Sequence, residues 1–311
     1  MTLDSETAER PVPASNEASA VCGWCHAPLR PARHDGFATE LCGVCGARTT
    51  WPVPTDAELE FAYGSWYRPH EGRFTGLGDR ALRALRGRLA SRLDRIAPAG
   101  PILDVGSGDG ALLDALAAVG RDAIVLERHS ERPDVREAEL SDLEGPFAAI
   151  VFWHSLEHLR EAGSELARAV RLLAPGGLVV VAMPNPASLQ ARAFGERWLA
   201  LDLPRHLVHV PTPALLARLR ELGLEPTRIS YLRGGQVVFG WLHGLVGSLP
   251  SHPDLYDAIR KPEARRAPLP PGQRALALSA AALALPVAAG CAVTEAGLRR
   301  AGTVYVEARR A

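Results

Sequence analysis

The chain has 311 residues, with 35 basic and 35 acidic side chains and no net charge at neutral pH. That balance excludes a generally basic nucleic-acid binder and an acidic tail protein. With 47% hydrophobic residues the chain can bury a sizeable core and is not disordered as a whole.

Residues 1–20 are polar, acidic and lack an apolar signal core, so they read as a disordered leader of a cytoplasmic protein. Two cysteine pairs come next, Cys22-x2-Cys25 and Cys42-x2-Cys45, separated by 16 residues. This is the spacing of a four-thiolate structural zinc ribbon, placed here at 21–50. Each pair turns two thiolates toward one point. So short a segment cannot bury enough surface to fold alone, and the metal supplies the folding energy. His26 reads as a neighbour, because four cysteines already fill the site. A closed site has no position for water, so the ribbon is structural or recognises a partner. Arg30, Arg33 and Arg48 stand against Asp35, Glu40 and the negative metal–thiolate centre, a poor set for gripping phosphates.

Residues 51–97 read as a helical connector. Thr55-Asp56-Ala57-Glu58 has capping-box form. Leu82, Leu85, Leu89, Leu93 and Ile96 mark one face of an amphipathic helix that Pro98 and Gly100 end. From 98 to 233 strands and helices alternate. Strands are expected at 102–105, 123–126, 135–140, 148–153, 178–183 and 227–232, and helices at 109–119, 164–173 and 215–222. Continuous apolar strands suit a sheet covered on both faces. No internal repeat is evident.

Ile102-Leu103-Asp104-Val105-Gly106-Ser107-Gly108-Asp109-Gly110 runs from a buried strand through a glycine turn into a helix. Such a turn lets a nucleotide-like ligand approach the backbone and the helix N-terminus closely. The spacing is G-x-G-x-G, not the G-x-G-x-x-G of dinucleotide sites. Asp104 and Asp109 would repel a pyrophosphate and accept a cationic group. Asp109 can also cap the helix. Glu127 ends the second strand, where a carboxylate takes both hydroxyls of a ribose.

This stretch resembles the first motif of the class I S-adenosylmethionine-dependent methyltransferases, and the resemblance covers 101–232. Glu139-Leu140 is similar to the acidic position and its neighbour that contact adenine there, with Asp142 as a rival carboxylate. Phe152-Trp153-His154-Ser155-Leu156-Glu157-His158-Leu159, Leu173-Ala174-Pro175-Gly176-Gly177-Leu178, Met183-Pro184-Asn185-Pro186 and Asp202-Leu203-Pro204-Arg205-His206 resemble segments of the type 23 subgroup, near relatives of the ubiquinone-biosynthesis methyltransferases. Ala148 stands where that family has an aspartate. The resemblance implies an α/β fold: a doubly wound, mostly parallel seven-stranded sheet. A small N-terminal zinc ribbon precedes it and an apolar helical insert lies before the last strand. It implies S-adenosylmethionine bound by Asp104, Gly106, Ser107, Gly108, Gly110, Glu127, Glu139, Leu140 and His154.

Methyl transfer needs a base only where the acceptor keeps its proton. His154 ranks first and His206 second as that base, with His209 as a further candidate. Trp66, Tyr67 and Trp198 are candidates to roof the pocket. The acceptor expected is a small molecule, a sugar or a lipid-linked intermediate. An RNA methyltransferase and a non-catalytic nucleoside-binding module are the alternatives, and the neutral charge counts against RNA.

Two uncharged stretches occupy 234–250 and 275–294, joined by a proline- and arginine-rich loop. With a last strand at 301–311 rejoining the sheet, a single membrane span is excluded. The insert at 234–300 is therefore expected to be a pair of apolar helices that pack on the enzyme, contact a membrane surface peripherally, or form a dimer contact.

Overall fold

The structure is a computed structural model that describes residues 20–64, 67, 74, 78–106, 108, 110–127, 134–135, 138–232, 235–265 and 267–310. Ser107, Asp109 and Trp66 lie outside the described residues.

The two cysteine pairs form equivalent knuckles. In each, the amide of the first cysteine donates to the carbonyl of an alanine five residues on, Ala27 or Ala47. The residue four on, His26 or Gly46, donates back to the cysteine carbonyl and takes left-handed backbone (φ 59° and 75°). The pattern Cys-Gly-x-Cys-x-Ala is thus a short internal repeat, too brief to register as a periodicity. A hairpin of β1 (Ala38–Leu41) and β2 (Arg48–Trp51) completes the module.

Helix α1 (Asp56–Ala62) starts on the expected capping box. The Thr55 side chain accepts from the Glu58 amide, and the Glu58 carboxylate accepts from the Thr55 amide. Helix α2 (Gly78–Ile96) buries Leu89, Ala90 and Leu93 but leaves Leu82 and Leu85 exposed. The predicted leucine face is therefore buried only along the half of the helix that lies over the sheet.

The core then runs β3 (Ile102–Val105), α3 (Ala111–Ala118), β4 (Ala123–Leu126), β5 (Phe147–Trp153), α4 (Ala162–Arg171), β6 (Leu173–Pro184), α5 (Leu189–Phe194), β7 (Val208–His209), α6 (Thr212–Glu221) and β8 (Leu224–Ser230). The insert holds α7 (Gly235–Gly247), α8 (Leu255–Ile259) and α9 (Gln273–Gly297), and β9 (Thr303–Arg310) closes the chain. The sheet order is β4-β3-β5-β6-β9-β8, with β3 to β6 parallel and β9 antiparallel to both neighbours. Alternate residues of each strand face opposite layers. Leu103, Val105, Ile150 and Phe152 meet Leu166 of α4 and Leu215 of α6, while Ile102, Ala149 and Val151 meet Leu89 and Leu93 of α2 and Leu116 of α3.

Among the described residues this sheet has six strands, not the seven expected. The segment 135–140 carries no described strand. Its buried Leu140 opens a single 3-10 turn (Leu140–Asp142), where the Glu139 and Asp142 carboxylates cap the turn. The expected loop between the apolar stretches contains α8, capped by Asp254.

Helix α7 buries Val237, Gly240, Trp241, Gly244 and Val246, and Trp241 packs with Ala288 and Ala292 of α9. Glu295 of α9 is fully buried and accepts from the Gln190 amide (2.9 Å), the Gln190 side chain (2.8 Å) and the Trp241 indole (2.9 Å). A buried carboxylate so fully satisfied pins the insert to the enzyme.

Candidate active site

Strand β3 ends at Val105, and the Gly106 amide still donates to the Leu126 carbonyl of β4 (2.8 Å). Gly106, Gly108 and Gly110 then take φ of 75°, 67° and 72°. Side chains other than glycine are strained in this left-handed region. Gly106 is confined twice over, because a Cβ there would lie 2.5 Å from the Ser155 Cβ. The Gly108 amide donates to Glu127 Oε2 (2.8 Å), so the carboxylate at the tip of β4 faces the turn. Asp104 is buried within β3 beside them. This cradle of bare backbone and carboxylates suits a nucleoside carrying positive charge. Glu139 is exposed at its own turn, and Leu140 beside it is buried.

Ser155 belongs to the loop after β5, which carries His154 and Glu157. His154 takes left-handed backbone (φ 53°), and its amide donates to the Ala182 carbonyl (2.7 Å). Its Nδ1 lies 3.3 Å from Glu157 Oε1, and its Nε2 lies 3.2 Å from the side-chain nitrogen of Gln236, on α7. An amide N–H donated to Nε2 requires the lone pair there, which leaves the proton on Nδ1 facing Glu157. A carboxylate behind an imidazole with its lone pair outward is the arrangement of a general base.

Glu157 is buried. Burial alone would raise its pKa, but His154, His206 and His158 outweigh it and hold the carboxyl at about 2. His158 stacks edge-on against His206 with ring centroids 4.7 Å apart. His158 Nδ1 lies 2.9 Å from the Arg205 carbonyl and 2.8 Å from the Tyr63 hydroxyl. Because a carbonyl only accepts, Nδ1 carries the proton. Burial and the neighbouring His206 lower the His158 pKa to about 4, so the ring is neutral near pH 7. His206 Nδ1 is fixed in the same way by the Ala200 carbonyl (2.8 Å). His209 is buried, and burial with His206 lowers its pKa to about 3. Trp198 is buried, and Tyr67 lies under the Arg205 guanidinium (4.5 Å). Arg205 in turn holds Asp202 and the Ala62 carbonyl.

The four cysteines are free and converge. Cys22 Sγ lies 3.7 Å from Cys45 Sγ, and Cys25 Sγ 3.6 Å from Cys42 Sγ. Tetrahedral zinc with Zn–S of about 2.3 Å places its sulfurs about 3.8 Å apart. The thiols therefore fit a zinc ion and are too far apart for disulfides. His26 turns away to Ser164 (2.8 Å).

The module docks on the catalytic layer at contacts that admit no side chain. The Gly163 amide donates to the Gly23 carbonyl (3.3 Å), and a Cβ on Gly163 would lie 1.9 Å from the Trp24 carbonyl oxygen. Strand β2 pairs with β7, and Thr50 bonds to the His206 carbonyl and lies 3.4 Å from His209 Nε2. The second ribbon strand thus braces the histidine-bearing segment.

The sequence singles out the glycine turn, Glu127 and the cysteines by spacing, and His154 and His206 as candidates by position and resemblance. It missed Gln236, Tyr63, Thr50 and the orienting position of Glu157. For Gln236 the one signal was a lone amide side chain inside an uncharged stretch.

A protein-family model described as a methyltransferase domain matches residues 78–229. The chain is 25% identical over 217 residues to a ubiquinone biosynthesis O-methyltransferase of Cereibacter sphaeroides, covering 60% of this chain and 87% of that one. It is 27% identical over 161 residues to the same-named protein of Xanthomonas axonopodis pv. citri, covering 44% and 67%. Among solved structures it resembles a SAM-dependent methyltransferase from Archaeoglobus fulgidus, with a TM-score of 0.42 and 16% identity over 72% of this chain and 94% of that one.

Proposed function

Since the chain is an S-adenosylmethionine-dependent methyltransferase, we propose that the glycine turn holds the donor and that His154 takes the proton of the acceptor. The observation that carries this is the contact between the two halves of the site. Gly106 packs on Ser155, so the donor turn abuts the loop that carries His154. When bound, the donor supplies a methyl group on a sulfonium, with a neutral thioether as leaving group.

The chain's own residues divide the remaining work. Asp104, Gly106, Gly108, Gly110 and Glu127 bind and orient the donor, with Glu127 assigned to the ribose hydroxyls. Glu139 and Leu140 are assigned to the adenine. His154 Nε2 accepts the proton of an acceptor hydroxyl or amine that displaces the Gln236 amide. Glu157 then faces the imidazolium and stabilises it. His206 and His158, each with Nδ1 held by a backbone carbonyl, line the acceptor side. The acceptor class proposed is a small molecule, a sugar or a lipid-linked intermediate. The four cysteines are assigned to structural zinc.

His154→Ala tests the base. Transfer of labelled methyl into a metabolite extract should fall by about 10²- to 10⁴-fold, far more than any loss of S-adenosylhomocysteine affinity accounts for. A full rate in the variant would remove His154 from this role.

Helix α9 supports peripheral membrane contact. It is the one helix among the described residues long and apolar enough to cross a bilayer, yet most of its apolar surface lies outside the core. Leu283 is 83% and Val293 69% exposed, and Arg274, Arg299 and Arg300 flank the uncharged stretch. Arginines at the ends of an exposed apolar helix suit anionic headgroups. Leu283→Glu with Val287→Glu should abolish sedimentation with phosphatidylglycerol vesicles while the folded state persists. Equal sedimentation of variant and parent would exclude α9 as the contact.

A further inference from the structure

A cavity lies at the opposite edge of the sheet from β4. It has a volume of about 170 Å³ and is lined by Arg88, Leu89 and Arg92 of α2, Arg228 and Ser230 of β8, Leu232, and Tyr305 of β9. Three arginines therefore line this space, Arg88 and Arg228 with exposed side chains and Arg92 half-buried. One carboxylate answers them: Glu307 is held by Arg92 through two hydrogen bonds and by the Tyr305 hydroxyl (2.6 Å). That arrangement fixes Arg92 in place. Arg228 shares the Glu307 carboxylate electrostatically, and Arg88 and Arg228 both reach solvent at the cavity rim. Three arginines against one carboxylate leave the cavity rim net positive, which favours an anion there. Guanidinium forks match the oxygens of a phosphate.

The sheet register connects this cavity to the reacting end of the enzyme. Trp153 pairs with Ala182, Ala182 with Tyr305, and Tyr305 with Ser230, so the four form one row across β5, β6, β9 and β8. Trp153 immediately precedes His154, and its ring lies 6.3 Å from the rings of both His154 and Tyr305. Arg86 stacks on the same indole at 4.5 Å. Strand spacing of about 4.8 Å puts Ser230 roughly 14 Å from Trp153.

We propose that Arg88, Arg92 and Arg228 form a binding site for a phosphate or diphosphate group, carried by the methyl acceptor some ten or more ångströms from its reacting atom. The assignment to the acceptor rests on the methyl-transfer reading above; the anion site itself does not. A phosphate on a soluble metabolite and one in a lipid headgroup share this chemistry.

Calorimetry with pyrophosphate on the full chain tests the site. One ion per chain should bind, and Arg88→Ala with Arg228→Ala should weaken it at least tenfold. Arg83→Ala, on the same helix but outside the cavity lining, should leave it unchanged. S-adenosylhomocysteine titrated in parallel should bind parent and variants alike. Its failure would fault the donor site and leave the anion site standing. A second arm uses phosphatidylcholine vesicles with and without phosphatidic acid. Capture that depends on phosphatidic acid and falls in the double variant assigns the phosphate to a lipid. Pyrophosphate binding without such capture assigns it to a soluble acceptor. No pyrophosphate binding, or equal affinity in the parent and the double variant, overturns the proposal.

Discussion

Gly106→Val is expected to abolish donor binding while leaving most of the sheet intact. Two independent penalties meet at this position. A valine would have to adopt φ near 75°, which costs a β-branched residue more than the 1–2 kcal/mol of an ordinary side chain. Its Cβ would also fall 2.5 Å from the Ser155 Cβ, so the loop carrying His154 must move. Because Gly106 also donates to the Leu126 carbonyl, the strain passes to the tip of β4 and to Glu127 behind it. S-adenosylhomocysteine affinity should fall by about 100-fold or more, the equivalent of ~2.7 kcal/mol. Methyl transfer should be lost with it. Calorimetry that finds parent-like affinity would refute the placement of the donor in this turn.

On the proposed four-thiolate assignment, Cys42→Ser should abolish zinc binding and disturb the acceptor side of the site, not the donor side. The thiolate sits in the knuckle that precedes β2, and β2 pairs with β7 through Arg48–His209 and Thr49–Val208. Thr50 also holds the His206 carbonyl. Loss of the metal removes the energy that closes both knuckles, about 10 kcal/mol or more in isolated zinc modules. The docked ribbon recovers part of this through its buried Trp24 and Leu29. A residual loss of about 4 kcal/mol would lower the unfolding midpoint by roughly 6 °C in a chain of this size. Metal analysis should show less than stoichiometric zinc, and hydrogen exchange should quicken at 206–210. S-adenosylhomocysteine affinity should persist. Full zinc occupancy in the variant would overturn the four-thiolate assignment.

Features written in local spacing were legible from the sequence. The glycine turn announces itself because left-handed backbone at alternate positions demands glycine, and the strand before it is a continuous apolar run. The cysteine pairs are equally local, and the Thr55 capping box lies within four residues. What escaped depends on distant segments meeting. Gln236 reaches His154 across 82 positions, and Tyr63 reaches His158 across 95. No periodicity encodes such contacts. The pairing of β2 with the two-residue β7 escaped for the same reason: a pair of residues has no alternation to read. Leucine spacing correctly gave α2 but over-extended its buried face, since spacing reports a stripe and not where the neighbouring sheet stops. The segment 135–140 reads as a strand from its apolar residues, yet Leu140 is buried in a capped turn that satisfies its backbone locally.

An acid-flanked glycine turn should receive a cationic nucleoside in place of a phosphate-bearing one, and every assignment in the site depends on that preference. It is measured by side-by-side calorimetric titration of the protein with S-adenosylhomocysteine, S-adenosylmethionine and NAD, repeated on Glu127→Ala. Both sulfur nucleosides should bind one-to-one, the variant should lose at least tenfold in affinity, and NAD should give no heat. Tight binding of NAD, or nucleoside affinity unchanged by Glu127→Ala, would contradict the preference.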